Sequence, residues 1–366
     1  MPLTDIDGQR LGDSVADKLG NRNLIINGAM QVDQRDTSTG VSTTGYYAVD
    51  RMRLSQNSIA TARYTREQST DAPDGFASSL KVTTTTAEGS VGAADGYRPL
   101  HYKIEGQDLQ QLQYGTSGAK SLTLSFYVKS SVTGTYCVTF KGIESQERMI
   151  TDTYTISSAN TWEFKSITIP GDTGSSITND NDNRFEIYWI GGAGSDERTQ
   201  DTSGSWGNSA IAGFAFGHSA SVQLQNTLNS TWQITGVQLE VGNTATPFEH
   251  RSFGDELRRC QRYFETSYPV GTAPGTVQTH SPLALNGKAN QFREWQDFKV
   301  TKRANPTMKF YSPDNGTVDK LYNANDTADI AVITDSASNN GARVSSGGTA
   351  AVGDLIRWQY TADAEL

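Results

Sequence analysis

The chain has 366 residues, 35 of them glycine, with only 35% hydrophobic content and a formal charge of -9. So lean an apolar share beside so many turn formers fits thin β-sandwiches joined by polar loops, and excludes an α/β enzyme built on a thick apolar sheet. The acidic balance repels phosphate backbones and no basic run exceeds three residues, which excludes nucleic acid as a partner.

The first 20 residues read as a polar arm. Leu11, Val15 and Leu19 recur at intervals of four, a weak helical signal in a segment too small to fold alone. The N-terminus lacks a basic n-region and an apolar h-region, and no stretch nears 18 continuous apolar residues, so neither a signal peptide nor membrane insertion is expected.

From residue 21 to about 250 the chain reads as short strands. Leu24 to Ile26 runs into Asn27-Gly28, a tight-turn pair. Leu122, Leu124, Phe126 and Val128 alternate with Thr123, Ser125, Tyr127 and Lys129, giving one buried and one wet face. Tyr136, Val138 and Phe140 repeat the pattern after Thr133-Gly134, which predicts a hairpin between these two runs. Trp162 to Phe164, then Phe185, Ile187 and Trp189, then Gly213 to Gly217 supply further strands of a jelly-roll sandwich.

Trp232 and Ile234 share a face, and the phase slips at Gly236 so that Val237, Leu239 and Val241 continue it, as a β-bulge would. Pro247 then stops the ladder. Ser252 offers a cap to a helix carrying Asp255 and Glu256 in its first turn. Phe253, Leu257, Cys260 and Phe264 follow at spacings of four, three and four. That heptad-like stripe reads either as an oligomer neck or as packing on its own domain. Beyond it, residues 267–366 read as a smaller β-sandwich, with strands expected at Phe298 to Val300, Thr307 to Tyr311, Ile330 to Thr334 and Asp354 to Tyr360, and turns at Asn339 to Gly341 and Ser345 to Gly348. The fold class is thus all-β, a jelly-roll sandwich (21–250) and a distal sandwich (267–366) joined by a short helix (251–266).

Catalytic signatures are absent. There is no H-E-x-x-H, no G-x-S-x-G and no metal-spaced cysteine pair; Cys137 and Cys260 read as reduced and buried, and neither cofactor nor metal is expected. Gly115 to Ser121 superficially resembles a phosphate loop, but it lacks the glycine before Lys120 and enters a strand where a helix N-terminus is required. Asp180 to Asn183 resembles the start of a calcium loop, but Arg184 follows where an oxygen ligand belongs, so a surface turn is expected. Sugar rings stack on aromatic faces while their hydroxyls take amides and carboxylates. On that ground the candidate glycan contacts are Tyr188, Trp206, Asn208 and Trp295. Trp206 stands among small polar residues and reads as exposed, Trp189 as core, and Trp295 equally as a receptor contact or an interface anchor.

Five segments in order, NRNLIINGAMQVDQR (21–35), SLTLSFYVKSSVTGTYCVTF (121–140), YTISSANTWEFKSITIPGDT (154–173), the junction ITGVQLEVGNTATPFEHRSFGDELRRCQRYFE (234–265) and YTADAEL (360–366), resemble a family of tail-fibre and host-attachment proteins of tailed bacteriophages, especially phages of aquatic bacteria. The resemblance implies a non-enzymatic virion structural protein. In such a protein the arm around Leu11, Val15 and Leu19 docks to other tail or virion proteins. The stripe of Phe253, Leu257, Cys260 and Phe264 closes a homotrimer, and the sandwiches adhere to host surface polysaccharide or lipopolysaccharide. A capsid decoration or head-fibre protein, a tail adaptor, and a glycan-trimming enzyme are the alternatives.

Overall fold

The structure, a computed structural model, describes residues 21–144, 146–198, 204–208, 221–333, 336–347 and 350–366. The arm with Leu11, Val15 and Leu19, and the strand expected at Gly213 to Gly217, lie outside them. No helix of the described residues is long and apolar enough to cross a membrane.

The chain enters β1 (Ser38–Val41), β2 (Gly45–Tyr46), β3 (Arg53–Asn57), β4 (Arg63–Ser69), β5 (Ser79–Thr86), β6 (Gly96–Glu105) and β7 (Leu122–Ser130). It continues through β8 (Gly134–Gly142), β9 (Arg148–Ile156), β10 (Glu163–Ile169), β11 (Asn183–Ile190), β12 (Gly192–Ala193), β13 (Gly207–Asn208) and β14 (Thr231–Val241). One sheet has the order β1-β4-β5-β14-β7-β10, and the facing sheet β13-β9-β8-β11-β6-β3-β2 with β12 beside β6. All of these pairings are antiparallel, and together the sheets make the jelly-roll sandwich.

The alternation read from sequence decides the faces. Leu122, Leu124, Phe126 and Val128 point into the core with Phe185, Ile187 and Trp189 opposite, while Tyr127 and Lys129 face out. Trp189 is core, its ring edge-on to Phe126 with centroids 5.9 Å apart. The bulge falls where expected: β14 shifts register against β7 between Thr235 and Gln238, and Gly236 takes φ 62°.

The hairpin expected between β7 and β8 does not form. β7 pairs with β10 and β14, β8 with β9 and β11, so the intervening turn crosses between sheets. Alternation locates a strand but does not name its partner. Leu24 to Ile26 is likewise no strand. It is held to β14 by single bonds such as Leu24 N to Leu239 O at 2.9 Å, and the Asn27 side chain bonds Val32 and Asp50 across the turn.

Helix α1 (Phe253–Gln261) is capped as read, with the Asp255 amide donating to Ser252 Oγ at 3.2 Å. The stripe, however, is divided. Phe253 is 47% exposed and Leu257 half-buried, Cys260 is fully buried, and Phe264 lies beyond the helix on the next strand. The buried face of α1 is instead Glu256, Cys260 and Gln261, and Glu256 accepts from the Asn27 amide. Packing on the chain's own first domain therefore takes up Cys260 and Phe264, which are not available to a partner surface.

The distal sandwich comprises β15 (Phe264–Thr266), β16 (Leu283–Leu285), β17 (Gln291–Asp297), β18 (Thr307–Tyr311), β19 (Lys320–Asn323), β20 (Ala328–Ile333), β21 (Gly341–Gly347), β22 (Leu355–Arg357) and β23 (Gln359–Asp363). A three-stranded sheet, β15-β23-β18, faces a six-stranded one, β16-β22-β19-β20-β21-β17. Residues 298–300 are not a strand; β17 precedes them. Ser345 to Gly347, read as part of a turn, lies inside β21.

The two sandwiches meet through buried charge. Arg35 pairs with Asp50 at 2.9 Å and with Glu365 at 3.1 Å, and Arg51 pairs with Glu365 while its guanidinium lies 3.5 Å from the Tyr263 ring centre. Arg262 clasps Glu105 with two bonds of 3.0 and 2.8 Å. On the distal side of the joint, Lys302 and Glu265, both fully buried, pair at 2.7 Å and tie that sandwich to the end of α1, with the Gln261 and Val300 carbonyls and the Tyr360 hydroxyl satisfying what remains. Removing one member of such a buried pair costs about 3–5 kcal/mol, because it leaves the other charge uncompensated. The turn expected at Asp180 to Asn183 serves this joint too, because Arg303 donates to the Asn181 carbonyl at 2.7 Å, while Arg184 neutralises Asp180. Among the described residues no cluster of three His, Cys, Asp or Glu stands placed to hold a metal ion.

Candidate functional site

The sequence-selected aromatics do not converge. Tyr188 is buried on the outer side of the eight-stranded sheet, stacked on His101 with centroids 4.0 Å apart, its hydroxyl donating to Glu186. Trp206 is half-buried, not exposed. Its indole N–H donates to the Pro170 carbonyl at 2.7 Å, and its ring packs on Tyr114 and Phe185 at 5.9 and 6.2 Å, closing one end of the core. Small polar neighbours in sequence said nothing of the rings that fold beneath it. Asn208 sits half-buried in β13 opposite Arg148 of β9. Trp295 is 47% exposed on the distal six-stranded sheet, its N–H tied to Asp297 at 2.8 Å in a shallow site with Arg293, Glu294 and Arg343.

The aromatic side chains that do converge are others. On the outer face of the six-stranded jelly-roll sheet, a groove of about 530 Å³ is lined by Phe76, Tyr127, Phe164, Phe248 and His250, with Asp74, Ser125 and Thr246 among its polar groups. Phe76 is the hub. Its ring centroid lies 5.5 Å from Tyr127, 5.0 Å from Phe248 and 5.3 Å from His250, and Tyr127 in turn lies 5.1 Å from Phe164. Tilted and edge-on pairs at these separations add about 0.5–1.5 kcal/mol each beyond buried area.

Four pieces of chain build this groove. Tyr127 projects from β7 and Phe164 from β10, neighbouring strands of one sheet. Phe76 comes from the turn between β4 and β5, and Phe248 and His250 from the segment after β14 that Pro247 keeps out of the ladder. The bulge at Gly236 forms the floor. A Cβ there would lie 2.7 Å from the Phe76 ring and 3.1 Å from Tyr127, so glycine is required both by its positive φ and by the space the rings occupy. Phe164 is half exposed, a ring face open to solvent.

A polar node flanks the groove. Asp71 accepts from Lys129 at 2.7 Å, from the Trp162 indole at 3.1 Å and from Gln233 at 3.2 Å. The bond from Lys129 is the main reason the Asp71 carboxyl lies below its usual range. Lys129 also sits 5.8 Å from the Trp162 ring centre, so charge, amide and aromatic ring share one strip beside Tyr127.

Sequence reasoning missed this set because its members are scattered over more than 170 positions. One signal was available: Tyr127 is an aromatic on the wet face of β7, where its neighbours are Thr123, Ser125 and Lys129, and a ring there packs on nothing in its own core.

No family model matches the chain, and no curated protein matches it. Solved structures with partly similar strand arrangements include the enzymatically active domain of bacteriophage CBA120 tailspike protein 4, at 14% identity and TM-score 0.31, covering 60% of this chain and 21% of that one. The chain thus spans about a fifth of that tailspike domain's length. The CBM22-1 xylan-binding domain of Paenibacillus barcinonensis Xyn10C aligns at 10% identity and TM-score 0.28, over 58% of this chain and 99% of that one. A putative sugar binding protein from Bacteroides thetaiotaomicron aligns at 11% identity and TM-score 0.30, over 60% and 99%.

Proposed function

We propose that this chain is a glycan-binding host-attachment protein of a tailed-phage particle, acting by adhesion and not by catalysis. The observation that carries the binding role is the groove over β7, β10 and β14, where exposed ring faces stand beside a carboxylate, hydroxyls and an imidazole. Saccharides require that combination: apolar C–H faces for stacking and fixed polar groups for hydroxyls. Adhesion is favoured over hydrolysis because the lining holds one carboxylate, Asp74, and the flanking Asp71 is engaged by Lys129, the Trp162 indole and Gln233, whereas glycoside hydrolysis generally runs on two free carboxyl groups about 5–9.5 Å apart. The five sequence segments support the phage assignment, with residues 1–20 docking to the particle.

Attachment by single weak contacts works when sites are multiplied, and a homotrimer multiplies them. With Cys260 and Phe264 taken up inside the chain, the surface suited to self-association is the outer face of the distal six-stranded sheet. There Leu283, Leu285 and Ile333 are exposed.

The test is titration of the full chain with purified host surface polysaccharide. Phe164→Ala and Tyr127→Ala should each weaken binding about tenfold, the scale of a lost stacking contact, with unchanged thermal unfolding for the exposed Phe164. Binding untouched by both variants would remove the groove from the reading. Release of reducing ends over many equivalents would replace adhesion with hydrolysis.

A further inference from the structure

A second cleft, of about 540 Å³, opens where the sandwiches meet, lined by residues of both. On the distal side stands the outer face of the three-stranded sheet: Phe264 of β15, Thr361 and Asp363 of β23, and Thr307, Lys309 and Tyr311 of β18. On the other stand Arg35, Ser38 of β1 and Tyr46 of β2. The volume lies within the range of small-ligand pockets, about 300–1000 Å³, and domain junctions are a common place for them.

The engaged and the vacant groups differ in kind. Arg35 is committed: it pairs with Asp50 and Glu365, and its guanidinium lies 3.6 Å from the Phe264 ring centre. The Tyr46 hydroxyl donates to the Leu366 carbonyl. The Lys309 ammonium and the hydroxyls of Ser38, Thr307 and Thr361, by contrast, have no partner among the described residues, although all four line the cleft. Register explains their common aim: Thr307 stands opposite Asp363 and Lys309 opposite Thr361, on the side of the sheet away from the Phe310 and Tyr360 core.

We infer that this interdomain cleft binds a saccharide unit bearing a single carboxylate, such as a uronic acid. The carboxylate pairs with Lys309, the ring hydroxyls bond Ser38, Thr307 and Thr361, and an apolar ring face lies on Tyr311. One unpaired ammonium suits one negative charge. A phosphate or sulfate cluster would call for several free cations, and here two carboxylates line the cleft: Glu365, paired with Arg35 at 3.1 Å, and Asp363, 46% exposed and 4.0 Å from Arg35, which together limit the positive potential. The ligand class rests on the attachment reading, but the residues are none of those in the groove.

The experiment is calorimetric titration of the full chain with trimers of galacturonate, mannuronate and glucuronate, each beside its carboxyl-reduced counterpart. At least one acidic trimer should bind and its reduced form should not. Lys309→Met should weaken the acidic trimer about tenfold, as loss of a charge-assisted bond does, and Lys309→Arg should retain it. Phe164→Ala, which tests the groove, should leave it unchanged. No binding by any acidic trimer, equal binding of a reduced form, or indifference to Lys309→Met would overturn the inference. If Phe164→Ala abolished acidic-trimer binding, the groove would be the site and the cleft would not. Polysaccharide binding that fails in the Phe164 variant while trimer binding persists separates the two readings.

Discussion

Two buried titratable residues oppose each other across pH. Burial holds the His101 imidazole at about 4, below its ordinary 6.5, against the pull of Glu186. Its Nδ1 meets Arg53 at 2.9 Å, an acceptor's position consistent with the neutral ring. The unfolded chain therefore takes up the proton first, and His101 removes stability as pH falls through 6.5 toward 4. Asp50 does the reverse. Burial raises it from 3.8 to about 7 despite Arg35, so the folded chain holds the extra proton between those values and gains stability as pH falls from 7. Relative to the parent chain, His101→Phe should thus gain stability between pH 7 and pH 5, and Asp50→Asn should lose it. Urea midpoints measured across that range check this; a pH-independent difference for either variant would sink its assignment.

Among elements, β14 couples fold to site. Its phase slip was legible in sequence because glycine breaks an otherwise regular alternation, and the structure puts the bulge where the slip is. Legible too were the inward faces of β7 and β11, the cap of α1 and the strand at Thr307–Tyr311. What alternation could not yield was pairing. Nothing in Leu122–Ser130 says that its neighbours are β10 and β14, and without that adjacency Tyr127 and Phe164 cannot be seen as one surface. The heptad stripe misled for a related reason: side-chain spacing describes a helix face, but α1 stops at Gln261 and Phe264 has already become a strand residue. Gly236→Ala should cost about 1–2 kcal/mol for the left-handed backbone, and it should also displace Phe76 and weaken polysaccharide binding. Thermal unfolding and titration of the same preparation read both effects; full affinity in this variant would mean that the Phe76 position is immaterial to binding.

At the scale of the whole molecule, three of the segments that carry the family resemblance meet in space. Residues 21–35, the junction through Phe264 and the tail at Glu365 supply Asn27 to Glu256, Arg35 to Glu365 and the Ala364 amide to the Tyr263 carbonyl at 2.7 Å. What those three segments encode is a joint, and of the groove side chains named above only Thr246, Phe248 and His250 lie in them. The joint also sets the mechanical path. The Asn21 and Asn23 amides donate to Glu249 at 2.8 Å, so the point at which the chain enters the jelly roll is fastened to the strap that leads into the distal sandwich. A pull between the two is borne by these short crosslinks, and the sheets carrying the aromatic groove hang beside the line of force. In a single-molecule stretch from residue 21 to residue 366, Arg51→Gln should lower the first rupture force. Groove opening, reported by a fluorophore near Phe164, should come only after that rupture. On the proposed attachment reading the jelly roll rides beside the loaded path, its groove keeping its shape until the joint ruptures.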